Sequence, residues 1–270
     1  LETKLPEVVE FPTGKPHVSY SEVSCWTLCG WKHKLSYIDK VPLPPQDWIH
    51  ANFGTHVHAG VENYLKTRVM DIQPVLDAIA TQWAEMNRPS VEKWQSWAKN
   101  ILEQFPSWLE ENFAGWELLG AELALYEDIP NEIIKFKGFV DCLVRVPLNE
   151  EKTRWKVWIL DWKTGPAYGW RRDKLEDPLV LAQLFLYKDY LLRKLELNSR
   201  EVGCAFVVLK KGAKVGNCIV RYDVSAGPKS LEAGAKIVRN MVSGVRKGKF
   251  IKNKYACEWC DYRKAGICVP

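Results

Sequence analysis

At 270 residues, with 47% hydrophobic and 26% charged residues, the chain has the make-up of an ordinary globular protein able to bury a substantial core. It holds no apolar run long enough to span a membrane and no secretory pattern at its N-terminus, so a cytoplasmic protein with no membrane attachment is expected. The formal charge of +5 permits an anionic partner without demanding one.

Taken in order, residues 1–17 are Pro-rich and read as an extended arm. Ser19 and Glu22 have the spacing of a capping box, and a helix should run from Glu22 into Lys32–Lys34 with Cys25 and Cys29 one turn apart. Pro42, Pro44 and Pro45 mark a loop. A helix is expected over Trp48–Val69, where Phe53, Val57, Val61, Tyr64 and Leu65 form one face and His58 falls beside it. Asp71–Met86 and Val91–Phe113 read as two more helices, which completes a helical subdomain over 48–113.

From Trp116 the pattern turns to strands. Glu117–Ile129, carrying Glu122, is the first, and Ile133–Val146 is the second, with Asp141, Leu143 and Arg145 on one face. The polar loop Asn149–Arg154 returns the chain into Trp155–Gly165, an apolar strand ended by Gly165-Pro166. A loop with Arg171, Arg172 and Lys174 follows, then a helix over Pro178–Leu195 with Gln183 and Tyr187 four apart on one face. Val202–Lys210 and Cys218–Val224 read as strands and Lys229–Val245 as the last helix. The basic run Arg246–Lys254 leads into Cys257-Glu-Trp-Cys260 and Cys268.

The strand Trp155–Gly165 carries the sharpest chemical signal. Alternation puts Asp161 and Lys163 on one face and Trp162 on the other. A salt-bridged strand end explains that pair alone equally well. The hairpin, however, brings Asp141 beside Asp161, and two carboxylates at one sheet edge would repel each other and lose solvation. The set suits metal-assisted hydrolysis. Asp141 and Asp161 can hold a divalent cation, His58 can add a nitrogen ligand, and this mixture favours manganese or magnesium. Lys163 can orient or deprotonate a water and offset charge growing on a phosphate. Among the eight Cys, Cys142, Cys204 and Cys218 lie in apolar runs and read as core. Cys257, Cys260 and Cys268 read as three ligands of a metal centre, with Cys29 or Cys25 as the fourth. Spacing does not separate iron–sulfur from zinc.

Several segments together resemble the RecB-like nucleases of the PD-(D/E)XK superfamily: Ser19-Tyr-Ser-Glu22 and Cys29-Gly-Trp, Gly54-Thr-His-Val-His58, Gly138-Phe-Val-Asp141, Leu160-Asp161-Trp-Lys163-Thr-Gly165, Gln183-Leu-Phe-Leu-Tyr187 and Cys257–Cys268. The resemblance covers Ser19 to Cys268 in the family's order. It implies an α/β, restriction-endonuclease-like fold: a mixed central sheet flanked by helices over 116–246, an N-terminal helical subdomain over 48–113, and a cluster region formed by 19–34 with 247–270, all in one nuclease domain. It implies a metal-dependent DNA nuclease with a [4Fe-4S] cluster, similar to the CRISPR-adaptation nucleases and AddB-type subunits. By that likeness His58, Asp141, Asp161 and the Trp162 carbonyl hold Mg2+ or Mn2+, and Lys163 is the catalytic lysine. Gln183 and Tyr187 edge the site, Glu122 takes an acidic position before the hairpin, and Cys29, Cys257, Cys260 and Cys268 hold the cluster, with zinc as the alternative occupant. Two features depart from the superfamily's name: no Pro precedes Asp141, and the second acid is Asp. The expected substrate is single-stranded or end-processed DNA, cut as an exonuclease. Protein partners would come from repair, recombination, CRISPR adaptation or viral DNA metabolism. The alternative is a non-catalytic DNA-end-binding scaffold subunit, which would be expected to have lost an acid or the lysine; all are present.

Overall fold

Periodic apolar residues build the long elements of the chain, which a computed structural model describes over residues 11–44 and 48–269. In order these are β1 (His17–Ser19), α1 (Tyr20–Leu28), α2 (Gly30–His33), a π turn (Lys34–Ile38), α3 (Ile49–Thr67), α4 (Gln73–Glu85), α5 (Val91–Asn112), β2 (Glu117–Asp128), β3 (Lys135–Pro147) and β4 (Trp155–Pro166). There follow α6 (Arg172–Leu175), α7 (Pro178–Lys194), β5 (Val202–Lys211), β6 (Ile219–Val224), α8 (Pro228–Arg246), a 3-10 turn (Lys254–Trp259) and α9 (Asp261–Lys264). This is a mixed α/β protein with a central mixed sheet flanked by helices. The chain divides into two compact units: Asp47–Ala124 with Phe139–Glu232, and Leu1–Gln46 with Leu125–Gly138 and Ala233–Pro270.

In the first of these units β3 pairs antiparallel with β4, β4 parallel with β5, and β5 antiparallel with β6. Val157 through Trp162 are all buried, as a strand covered on both faces must be. Its Trp162 ring meets Phe105 of α5 edge-on at 5.4 Å, joining the sheet to the helical layer. That layer is built from Phe53, Val57 and Val61 of α3, Ile79 and Trp83 of α4, and Trp94, Ala98, Ile101 and Leu102 of α5. Their i, i+3, i+4 spacing is the stripe that a helix must bury. The opposite face of β4, which carries Asp161, is covered by α7.

In the other unit β1 runs parallel to the first residues of β3, with Val18 opposite Phe136. Residues 11–16 are not an arm. Phe11 and Thr13 are buried and the Gly14 amide donates to the Phe11 carbonyl, because an aromatic side chain and a Gly turn pack the segment down. Residues 1–10 and Pro45 lie outside the described residues. Ser19 caps α1 by accepting from the Glu22 amide at 3.3 Å, but the Glu22 carboxylate goes elsewhere. It meets His33 Nε2 at 3.1 Å, both side chains buried, with the imidazole stacked on Tyr37. The expected continuous helix through 22–34 is broken at Cys29, whose backbone is extended (φ −160°, ψ 107°) before α2 begins.

Candidate active site

The β3–β4 ladder ends at Cys142 opposite Leu160. Two residues beyond Leu160, the Trp162 amide donates to the Asp141 carboxylate, Oδ2 accepting at 2.7 Å. That bond fixes Asp141 beside Asp161, which is 1% exposed and forms an ion pair with Lys163 Nζ two residues along the same face. Burial, and next the Asp161 charge, push the Asp141 carboxyl well above the usual carboxylate range. Burial likewise raises Asp161, against the pull of Lys163. For Lys163, burial disfavours its charge, but Asp161 and Asp141 more than reverse that, so its pKa ends raised. It therefore stands as a cation, suited to orienting a phosphate and offsetting its charge; a role as base would require its proton to leave first.

His58, on α3, comes within range of the Lys163 charge. Four residues before it on the same face, Gly54 packs on β4, where an added Cβ would lie 3.1 Å from Thr164 Oγ1. A side chain there would fit only if the Thr164 side chain gave way by a few tenths of an ångström. Burial, then the Lys163 charge, lower the His58 pKa to about 4, so its imidazole is neutral at pH 7. From α7, Gln183 Nε2 donates to the Tyr187 hydroxyl at 3.2 Å. Burial and then Asp161 raise the Tyr187 pKa, which places this phenol against the two acids, and a backbone bond from Phe139 steadies it. Glu122 stands on β2 in a left-handed conformation (φ 49°). Burial and then the Glu62 charge raise its pKa, with a further contribution from Asp161. Glu62 escaped the sequence reading; its signal was the i, i+4 spacing from His58 on α3.

The buried atoms here fit a hard divalent cation in kind. His58 Nε2 and Asp161 Oδ1 are enclosed with no hydrogen-bond partner, while Asp161 Oδ2 meets the Lys163 ammonium. Buried acceptors without donors are costly, and oxygen and imidazole lone pairs are what manganese or magnesium takes. As they stand, no three His, Cys, Asp or Glu side chains among the described residues converge enough to hold an ion. The Lys163 ammonium instead supplies the positive charge between the acids. Trp162, named with these ligands, is buried with its ring in the helical core.

The remaining expected ligands meet in the other unit. Cys29, Cys257, Cys260 and Cys268 line one cavity of about 230 Å3, together with Lys32, Leu35 and Lys252. Gly30 allows this, since a Cβ there would sit 2.9 Å from the Ile251 amide nitrogen. The C-terminal segment thus lies against residues 29–31, and the Asn253 amide donates to Cys29 Sγ at 3.5 Å. Cys268 is raised by burial, with smaller contributions from Cys260, Cys257 and Cys29. Cys25 instead lines a neighbouring cavity with Tyr20, Ser24 and Tyr37, where burial pushes its thiol up to about 11. Cys142, Cys204 and Cys218 are buried in the sheet unit, as core residues.

The sequence profile of the PD-(D/E)XK nuclease superfamily matches residues 17–268, nearly the whole chain. The chain belongs to the PD-(D/E)XK nuclease superfamily. Among solved structures the chain is similar to a candidate exonuclease from Eubacterium rectale, with a TM-score of 0.59, 13% identity and coverage of 99% of this chain and 95% of that one. At that identity the likeness concerns the fold. The structure of SSO0001 is matched at a TM-score of 0.35 and 15% identity, over 79% of this chain and 94% of that one, too distant to add to the comparison. No curated protein matches the sequence significantly. No helix among the described residues is long and apolar enough to cross a membrane.

Proposed function

We propose that this PD-(D/E)XK nuclease is a RecB-like, metal-dependent deoxyribonuclease that acts as an exonuclease on single-stranded or end-processed DNA. One observation carries the reading: a buried carboxylate (Asp161), a half-buried one beside it (Asp141), a cationic lysine and a half-buried neutral imidazole lie on and around the end of β4. The ligands would be Asp141, Asp161 and His58, with the Trp162 carbonyl. Magnesium or manganese, when bound, polarises the phosphate and lowers the pKa of a water. The chain's own groups do the rest. Asp141 and Asp161 supply negative oxygens, and His58 offers a lone pair without carrying charge. Lys163 donates to the phosphate and offsets the charge developing on it. Gln183 and Tyr187 place an amide and a hydroxyl at the rim of the acids.

Charge distribution supports a polyanionic substrate. Residues 246–264 contain seven of the chain's 38 basic residues and two of its 33 acidic ones, so this segment holds the entire net charge of +5 and the remainder balances 31 against 31. The same segment exposes Tyr255 (96%) and Trp259 (74%). Phosphate contacts and aromatic faces suit nucleic acid without base-specific reading. A [4Fe-4S] cluster is proposed for Cys29, Cys257, Cys260 and Cys268. The four cysteines line one cavity, which supports a shared centre; zinc is the alternative occupant. The exonuclease reading predicts that the protein with Mn2+ degrades an end-labelled linear single strand and spares a covalently closed single-stranded circle. Cutting of the circle would make it an endonuclease, and an intact linear strand would favour the non-catalytic scaffold.

A further inference from the structure

The loop leaving β4 ends in a turn fixed on both sides. Trp170 is driven into the core, 5.2 Å from the Phe206 ring, and its amide donates to the Tyr222 hydroxyl at 3.3 Å. The Gly169 amide donates to the Pro166 carbonyl at 2.9 Å, closing a turn whose tip is Tyr168. Anchored on both sides, the turn presents the Tyr168 ring to solvent at 68% exposure. Ordering an aromatic that buries so little of itself stabilises nothing in the free protein. The Arg171 guanidinium lies 5.8 Å from the centre of that ring, and Lys174 Nζ lies 4.2 Å from the Trp170 ring.

Rings link this turn to the site: Lys163 Nζ is 6.0 Å from the Phe206 ring against which Trp170 packs. Lys174 also feels the Lys163 charge, which adds to burial in lowering its pKa. Arg172 is paired with Glu176, whereas Arg171 and Lys174 form no ion pair among the described residues. Lys174 feels Asp177 only as a smaller, opposing charge, so an added anion would be favoured beside these cations.

Resting on the nuclease reading above, we propose that Tyr168, Arg171 and Lys174 form a single-strand rim at the mouth of the site. Tyr168 stacks on an unpaired base, and Arg171 and Lys174 take phosphates flanking the one held at Asp141 and Asp161. A duplex hides its base faces, so the rim selects strands that are already unpaired.

The test uses the full chain and a fluorescein-labelled oligothymidylate carrying one 2-aminopurine, in EDTA so that binding is read without cleavage. Tyr168→Ala is expected to weaken single-strand binding about tenfold or more and to remove the quenching of 2-aminopurine by stacking, while Tyr168→Phe retains both. Lys174→Gln should lower the slope of log affinity against log salt by about 0.7. In Mn2+, Tyr168→Ala should raise KM for the single strand with kcat within about twofold. No single-strand binding by the unaltered protein, unchanged binding and quenching in Tyr168→Ala, or equal losses on single strand and duplex would each overturn the rim. Tyr168-dependent binding without any cleavage would refute the nuclease reading and leave the rim standing. Cleavage with binding indifferent to Tyr168 would do the reverse.

Discussion

Asp141→Asn is expected to abolish cleavage and, in metal-free buffer, to raise the melting temperature. Asp141 is held beside Asp161 with its carboxyl pKa raised well above the usual range by burial and by that neighbour. A carboxyl whose folded pKa exceeds its unfolded value of about 3.9 binds its proton more tightly in the folded state. Folding therefore loses stability as pH rises from about 4 through the folded pKa, and the protein carries the whole penalty above it. Asparagine stays neutral, and its side-chain oxygen can still accept from the Trp162 amide that now donates to Asp141 at 2.7 Å. Each kcal/mol recovered should raise the midpoint by about 2–4 °C. Saturating Mn2+ should raise the unaltered protein by about 2.7 kcal/mol at a hundredfold excess over Kd, and the variant by little. Thermal unfolding between pH 5 and 8, with and without Mn2+, reads all of this. A lower metal-free midpoint in the variant would mean that Asp141 is there for packing, not for a ligand.

Cys29→Ala and Cys257→Ala should each remove visible absorbance, bound iron and a large share of stability in the unit containing them, while Cys25→Ala keeps the iron. Cys29 sits where α1 breaks, and Cys257 sits in a turn that holds itself with few buried contacts. A centre joining the two closes a loop of roughly 230 residues, worth on the order of 5 kcal/mol in the chain-entropy picture of a covalent cross-link. Cys25 faces the neighbouring cavity and is spared. Iron analysis, absorbance and melting of the three variants decide the matter. Iron retained in Cys29→Ala, or zinc with no visible colour in the unaltered protein, would contradict the assignment.

The long elements were legible because their periodicity is strong: α3, α5 and α7 begin and end within two residues of where their apolar stripes put them. The pairing of Asp141 with Asp161 was legible too, since the polar loop at 149–154 leaves a hairpin as the simplest connection. What stayed hidden depends on contacts distant in sequence. Strand β1 is three residues long, too short for alternation to show, and exists because Val18 finds Phe136. The break at Cys29 and the buried Glu22–His33 pair arise only when the backbone turns at residue 29. Nothing in the sequence marks Tyr168; its exposed position depends on Trp170, which packs on Phe206 of a distant strand. The Lys163–Asp161 ion pair was anticipated, but not that Lys163 would provide the charge that both acids need.

The most direct measurement is cleavage of labelled single- and double-stranded DNA by the purified chain with Mg2+ or Mn2+, beside Lys163→Ala. The chain should cut only with the metal, and the variant should fall by about a thousandfold or more. Equal cleavage by Lys163→Ala, or none by the unaltered chain with its cluster intact, would contradict the assignment of Asp141, Asp161 and Lys163 as a phosphodiester-cleaving site.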